Sequence, residues 1–276
     1  MGGVLFAALI AGVIAAAAWA LRLLSYSGAL AAFVVGLVVF ALGGWTHAAV
    51  LVAFFASCSL LSRLGSGRKA GASALYEKGG PRDAWQVVAN GGVPAGLALL
   101  CAVGPLPREY TLLYLAAVAG ATADTWGTEI GGLWRGRPRL LSNFRPVDAG
   151  TSGAVSWPGL AASLAGAAFI VLIGRLFWPR HSTALLWAPD SPEMMAMAWA
   201  GFCAAFADSI LGASLQAQFR CPKCGKTVES RTHCGQETRH VRGLRWFGND
   251  LVNLACSLLA ALFGWILLRY FTYPLV

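Results

Sequence analysis

The sequence predicts an all-α, polytopic membrane helical bundle of about eight transmembrane helices, with a small zinc-knuckle-like loop on its cytoplasmic side. Three observations carry that expectation. Apolar runs of bilayer-spanning length recur along the whole chain. Charged residues make up 12% of the sequence, about half the share of a typical soluble chain. The basic residues, finally, collect in alternate loops.

The first run, about 2–22, lacks a basic leading region and is too long for a cleaved leader, so it reads as a membrane helix. Seven more follow at about 27–43, 46–62, 85–103, 110–131, 153–176, 194–214 and 250–272, each of a length that carries a helix across the hydrocarbon. Together they read as one integral membrane domain over 1–276, with residues 217–245 as a cytoplasmic Cys/His loop inserted between the last two helices.

With eight spans, one set of alternate loops holds 17 of the 21 Lys and Arg residues, and the other keeps only Arg108, Arg175, Arg180 and Arg269. The positive-inside rule then puts the basic loops in the cytoplasm and both termini outside, in the inner or plasma membrane of the cell. The net charge of +9 is accounted for by this orientation. A nucleic-acid partner would need a basic face on a soluble fold, and the sequence offers none.

Acidic residues stand where such a chain least tolerates them. Asp124 and Glu129 end the fifth run, Asp208 lies near the end of the seventh and Asp250 opens the eighth. A carboxylate at bilayer depth costs several kcal/mol unless it is paired, hydrated or bound to a cation. The predicted topology brings Asp124, Asp208, Asp250 and Asn90 to the same cytoplasmic leaflet. Asn249, Asp250 and Asn253 share one helical face. Oxygen donors of this kind fit Mg²⁺ rather than a soft metal. Bonding between helices is the competing role for the amides. Glu129 is five residues after Asp124 and turned away from it on an ideal helix; fraying at Gly131 and Gly132 would let it swing back.

Phosphate contacts have two candidate sources. Gly150, Thr151, Ser152 and Gly153 precede the sixth run, where a Thr or Ser is an ordinary N-cap and free N–H groups can bind an anion. Arg145 stands just before them. The loop at 63–83 is basic and Gly-rich, with Lys78 and Arg82 as candidate nucleotide contacts, but it is not a Walker A sequence. A second site is implied by the cysteines. Cys221, Cys224 and Cys234, with His233 or His240, have the spacing of a structural Zn²⁺ site in a compartment that disfavours disulfides.

Five ordered motifs then make the chain similar to a known family: Glu77-x5-Asp83-x2-Gln86-Val-x-Ala-Asn90-Gly, Ala123-Asp124-Thr125-Trp126-x-Thr128-Glu129-Ile130-Gly131, Gly150-Thr151-Ser152-Gly153-x-Val155-Ser156, Asp208-Ser209-x2-Gly212-Ala213 and Asn249-Asp250-x-Val252-Asn253. They resemble the integral-membrane family that includes plant phytyl-phosphate kinase and the animal transmembrane-protein-19-like proteins (domain of unknown function 92). The cysteine insert resembles its prokaryotic branch.

The resemblance implies a CTP-dependent, Mg²⁺-dependent kinase that turns a membrane prenyl monophosphate into the diphosphate. Asp124, Asp208 and Asp250 would hold the metal, Asn90, Asn249 and Asn253 would orient ligands, and the 150–153 turn with Arg145 or the 63–83 loop would neutralise phosphate. The alternatives are a cytidylyltransferase attacking the α-phosphate of CTP, and a transporter of phosphorylated lipid or anions. A transporter would want its polar groups near the bilayer centre.

The topology is directly testable. A reporter fused after Val276 is expected to read as extracytoplasmic, and single cysteines placed at 63–83, 133–149 and 217–245 should resist impermeant labelling in intact cells. Labelling of those loops from outside would put the acids away from nucleotide.

Overall fold

The computed structural model describes residues 2–65, 80–141, 143–147, 150–178 and 191–272. Among them are eight helices: α1 (Gly2–Ala20), α2 (Tyr26–Leu42), α3 (Gly44–Gly65), α4 (Ala84–Val103), α5 (Pro107–Gly131), α6 (Trp157–Leu176), α7 (Ser191–Ser214) and α8 (Asn249–Thr272). They form an all-α membrane bundle, and six are long and apolar enough to span a bilayer. The other two have separate reasons for falling short. α2 is apolar but only 17 residues long, and α5 carries Arg108, Glu109, Asp124 and Glu129.

Local chemistry sets the helix starts. The Ser25 hydroxyl accepts the Gly28 N–H at 3.1 Å and opens α2. Asp83 and Gln86 form a capping box at α4, the Asp83 side chain accepting the Gln86 N–H at 3.0 Å and the Gln86 side chain accepting the Asp83 N–H at 3.1 Å. Proline stands in the first turn of both α5 and α6, where its missing N–H costs nothing.

The sixth helix begins later than expected. Its N-cap is Ser156, whose hydroxyl accepts the Gly159 N–H at 3.2 Å. The 150–153 turn is therefore not a helix N-terminus. It leads instead into β2 (Ala154–Val155), which pairs antiparallel with β1 (Arg139–Leu140). Ser156 wins because a proline follows two residues on, while the two glycines of the turn, Gly150 and Gly153, both adopt positive φ.

α5 is the hub of the bundle and packs against α3, α4, α6, α7 and α8. Residues 111–123 are buried without interruption, which a helix shows only when neighbours surround it. Small residues make this possible. A Cβ added at Gly201 of α7 would lie 2.7 Å from the Ala119 side chain and 2.9 Å from the Gly120 nitrogen, so the two helices touch almost backbone to backbone. Gly120 meets Ala260 of α8 in the same way.

The bundle has two distinct ends. At one, Arg108 pairs with Glu193, Arg269 donates to Glu109 at 3.3 Å, and the Thr46 hydroxyl donates to the Phe177 carbonyl at 2.7 Å. At the other, Arg82 exchanges main-chain hydrogen bonds with Leu23 and Ser25, both 3.0 Å, and the Arg63 guanidinium donates to the Leu21 carbonyl. The C-terminal ends of α5 and α7 and the start of α8 lie at this second end. So does the insert between α7 and α8. There β3 (Gln218–Arg220) sits between β4 (Thr227–Val228) and β7 (Arg239–Arg242), beside a hairpin of β5 (Thr232–His233) and β6 (Gln236–Glu237).

The α5–α7 contact gives a stability prediction. Gly201→Ala should cost about 1–3 kcal/mol through overpacking against main chain, seen as a lower Tm in detergent. Gly96→Ala, at an exposed position with open space around it, should be neutral or slightly stabilising. Equal effects of the two would contradict close packing at α5.

Candidate functional site

At the second end the helices enclose a cavity of about 300 Å³. α5 lines it with Asp124, Thr125, Thr128 and Glu129, α7 with Asp208, Ser209 and Gly212, the segment just after α7 with Gln216, and α8 with Asn249, Asp250 and Asn253. The 150–153 turn and the first turns of α6 close another side. Gly153 is needed there twice over: its φ is +76° and a Cβ would overlap the Ala213 backbone of α7. Ser152 fixes the same junction, its hydroxyl lying within hydrogen-bond reach of the Gly212 carbonyl and the Gln216 side-chain oxygen.

Most of the acids and amides expected from sequence meet here. Asp124 and Asp208 lie close enough for their carboxyls to interact electrostatically. Glu129 also lines the cavity; the helix does not fray at Gly131, which packs on Gly159 and Ser156 of α6, and the Ser62 hydroxyl donates to the Glu129 carboxylate at 2.8 Å. Other expected residues lie elsewhere. The Asn90 amide donates to the Gln86 carbonyl of its own helix at 3.0 Å and is not among the lining residues. Arg145 is exposed on the β1–β2 turn, away from the lining, because its main chain is held in the turn by Leu140 and Asn143. Arg82 is half-buried outside the lining, with its main chain tied to the α1–α2 turn. Lys78 lies outside the described residues.

Three lining or neighbouring groups were not singled out by sequence. Glu229, buried just after β4, reaches the cavity from the insert and comes within electrostatic range of Asp208. Gln216, 2% exposed, lines the cavity with its side-chain Nε2 lacking a partner among the described residues. Arg242 of β7 donates to the Gly212 carbonyl at 3.4 Å, and burial lowers its pKa. An acid, an amide and a base in a polar loop look like solvated surface, and only the docking of the insert onto the bundle distinguishes them.

The electrostatics are one-sided. Five carboxylic acids line the cavity, and none of the described lining residues is Lys, Arg or His. Asp208 Oδ1 is buried with no hydrogen-bond partner among the described residues. An orphaned carboxylate oxygen facing a second carboxyl fits a hard divalent cation such as Mg²⁺.

The insert carries a different donor set. Cys221, Cys224, His233 and Cys234 each offer one atom, all within 4.8 Å of one another, and could hold a metal ion. His233 Nδ1 lies 3.5 Å from Cys224 Sγ and 3.2 Å from Cys234 Sγ. His240 is excluded from the cluster, since it stands on β7 against the ring of Phe219. Gly225 turns the chain back at φ +72°. The Cys224 main-chain N–H, then the His233 side chain, lower the Cys221 thiol to about 6, while burial raises that of Cys234. A thiolate is the ligating form.

Residues 9–261 match the family described as Integral membrane protein DUF92. The chain belongs to this family. Among similar proteins, Protein PGR of Arabidopsis thaliana is 29% identical over 93% of each chain. The uncharacterized membrane protein MJ0933 of Methanocaldococcus jannaschii is 32% identical over 57% of this chain and 64% of its own. Protein VTE6, chloroplastic, of Arabidopsis thaliana is 26% identical over 84% of this chain and 61% of its own. No solved structure matches. DUF92 membership makes this an integral membrane protein, as its apolar helices require.

The Cys/His cluster gives the prediction for this DUF92 chain. Protein purified without chelator should carry about one zinc per chain by metal analysis, and the Cys221→Ser, Cys224→Ser double variant should carry none. Zinc-free wild-type protein would contradict the assignment.

Proposed function

We propose that this protein is a CTP-dependent kinase that converts a membrane prenyl monophosphate to the diphosphate, working with Mg²⁺ at the cytoplasmic face of the membrane. The observation that carries this reading is the charge of the cavity, five carboxyls with no base among the described lining residues. Two like charges 4 Å apart repel by about 4 kcal/mol at an effective dielectric of about 20. Cations bound among these carboxyls would let a phosphate enter such a cavity. The family resemblance, through motifs that carry four of these five acids (Asp124, Glu129, Asp208 and Asp250), supplies the reaction class.

In this reading Asp124, Asp208 and Asp250 hold the metal, with Glu129 and Glu229 adding charge around it. Bound there, Mg²⁺ would neutralise the nucleotide phosphates. The amides of Asn249 and Asn253 orient the ligand, and the unpaired Gln216 amide supplies a donor. Thr151, on the 150–153 turn that Ser152 anchors to α7 and Gln216, faces the phosphates. An oxygen of the acceptor phosphate attacks the γ-phosphorus of CTP, the bond to the β–γ bridging oxygen breaks, and CDP leaves with that electron pair. A phosphate monoester is ionised at neutral pH, so no side chain has to remove a proton. Positioning and charge neutralisation supply the catalysis. The Cys/His cluster, as a closed zinc site, would hold the insert that delivers Glu229.

Purified protein incubated with CTP, Mg²⁺ and prenyl monophosphates is expected to release CDP and form the prenyl diphosphate. Pyrophosphate as the product would establish nucleotidyl transfer instead. Asp124→Asn, Asp208→Asn and Asp250→Asn should each lower turnover about 100-fold or more in protein that still inserts and purifies folded. Near-normal activity in any two would contradict the metal assignment.

A further inference from the structure

We propose that the seam between α6 and α7 holds the hydrocarbon tail of the lipid acceptor and admits it sideways from the bilayer. This rests on the lipid-phosphate reading of the site above. The cavity wall changes character along one face of α7. Gly212, Ser209 and Asp208 stand at its C-terminal end, with Gln216 just past it, followed by Ala205, Phe206 and Phe202. Spacings of three and four keep the helical members on one stripe. From Gly212 to Phe202 the stripe descends about 15 Å along the helix, well inside the apolar part of the bundle.

The apolar wall also has a definite location. α8 lines the cavity only with Asn249, Asp250 and Asn253, and α5 only with acids, threonines and glycines. The large apolar side chains contributed by helices are Leu160 of α6 and Phe202 and Phe206 of α7. Phe206 is 38% exposed while lining the cavity, so its ring stands at an open edge of that wall rather than in the packed core. Leu164, one turn deeper than Leu160, and Ile210, one turn nearer the polar end than Phe206, are 39% and 47% exposed. The cavity is thus polar where a phosphate and its cations would sit and apolar toward the lipid-facing side. A soluble nucleotide has no use for that second half. A phosphate monoester with a single prenyl chain uses both.

The test uses the full chain in lipid nanodiscs and a farnesyl monophosphate carrying a photoreactive group at its far end. After irradiation, adducts mapped by mass spectrometry should fall at 160–164 and 202–210, and geranylgeranyl monophosphate should displace them while inorganic phosphate does not. Phe206→Trp, which fills the seam, should reduce this labelling about tenfold or more. Leu172→Trp, at a position 56% exposed elsewhere on α6, should leave it unchanged. Adducts scattered over the lipid-facing helices, or unchanged labelling in Phe206→Trp, would overturn the proposal. Its fate is separable from that of the kinase: adducts at the seam without CDP formation support the tail site and defeat the kinase reading. CDP formation with adducts elsewhere does the reverse.

Discussion

Repulsion among like charges is the constraint on which this structure turns. Asp124, Glu129, Asp208, Glu229 and Asp250 line one cavity, and none of the described lining residues is Lys, Arg or His. The carboxyls themselves do not draw α5, α7, α8 and the insert together. The gathering force lies deeper in the bundle, where residues 111–123 of α5 are buried on every side and Gly201 and Gly120 let main chains approach closely. Packing of small residues is the dominant attraction available between apolar helices in lipid. The bundle thus holds the acids in place, and a bound cation would relieve the repulsion that this creates.

Much of this was legible in the sequence, for identifiable reasons. Apolar run length is a strong signal because the bilayer penalises exceptions to it. The acids at 124, 208 and 250 stood out for the same reason. Side-chain direction was less legible. Asn90 lies at the right end of α4, yet its amide turns back to the Gln86 carbonyl, and no spacing argument forecasts that. The 150–153 turn carries cap-forming residues, but Ser156 is followed by a better helix start and takes the cap. Spacing alone left His233 and His240 open, and the pairing of β7 with β3 decided between them by carrying His240 to Phe219.

The insert illustrates the remaining gap. In the sequence it reads as a scaffold, self-contained and remote from any chemistry. Folded, it sits over the cavity: Gly243 and Leu244 pack on the end of α7, the Leu244 N–H donates to the Leu215 carbonyl at 2.9 Å, and Glu229 joins the carboxyl group of the site. A small core of Ala217, Phe219 and Val228 holds the strand that bears it. The scaffold and the cavity are consequently one mechanical unit, although Glu229 looks in the sequence like one more solvated charge.

The central claim is that the cavity is a divalent-cation site. It is tested most directly by thermal unfolding of the detergent-purified protein against MgCl₂, with NaCl at matched ionic strength as the control. A ligand at free concentration L that binds only the folded state stabilises it by RT ln(1 + L/Kd), so Tm climbs with the logarithm of its concentration above Kd. The account predicts a rise with Mg²⁺, none with NaCl, and loss of the rise in the Asp124→Asn, Asp208→Asn double variant. A Tm indifferent to Mg²⁺, or an equal rise in the double variant, would contradict it.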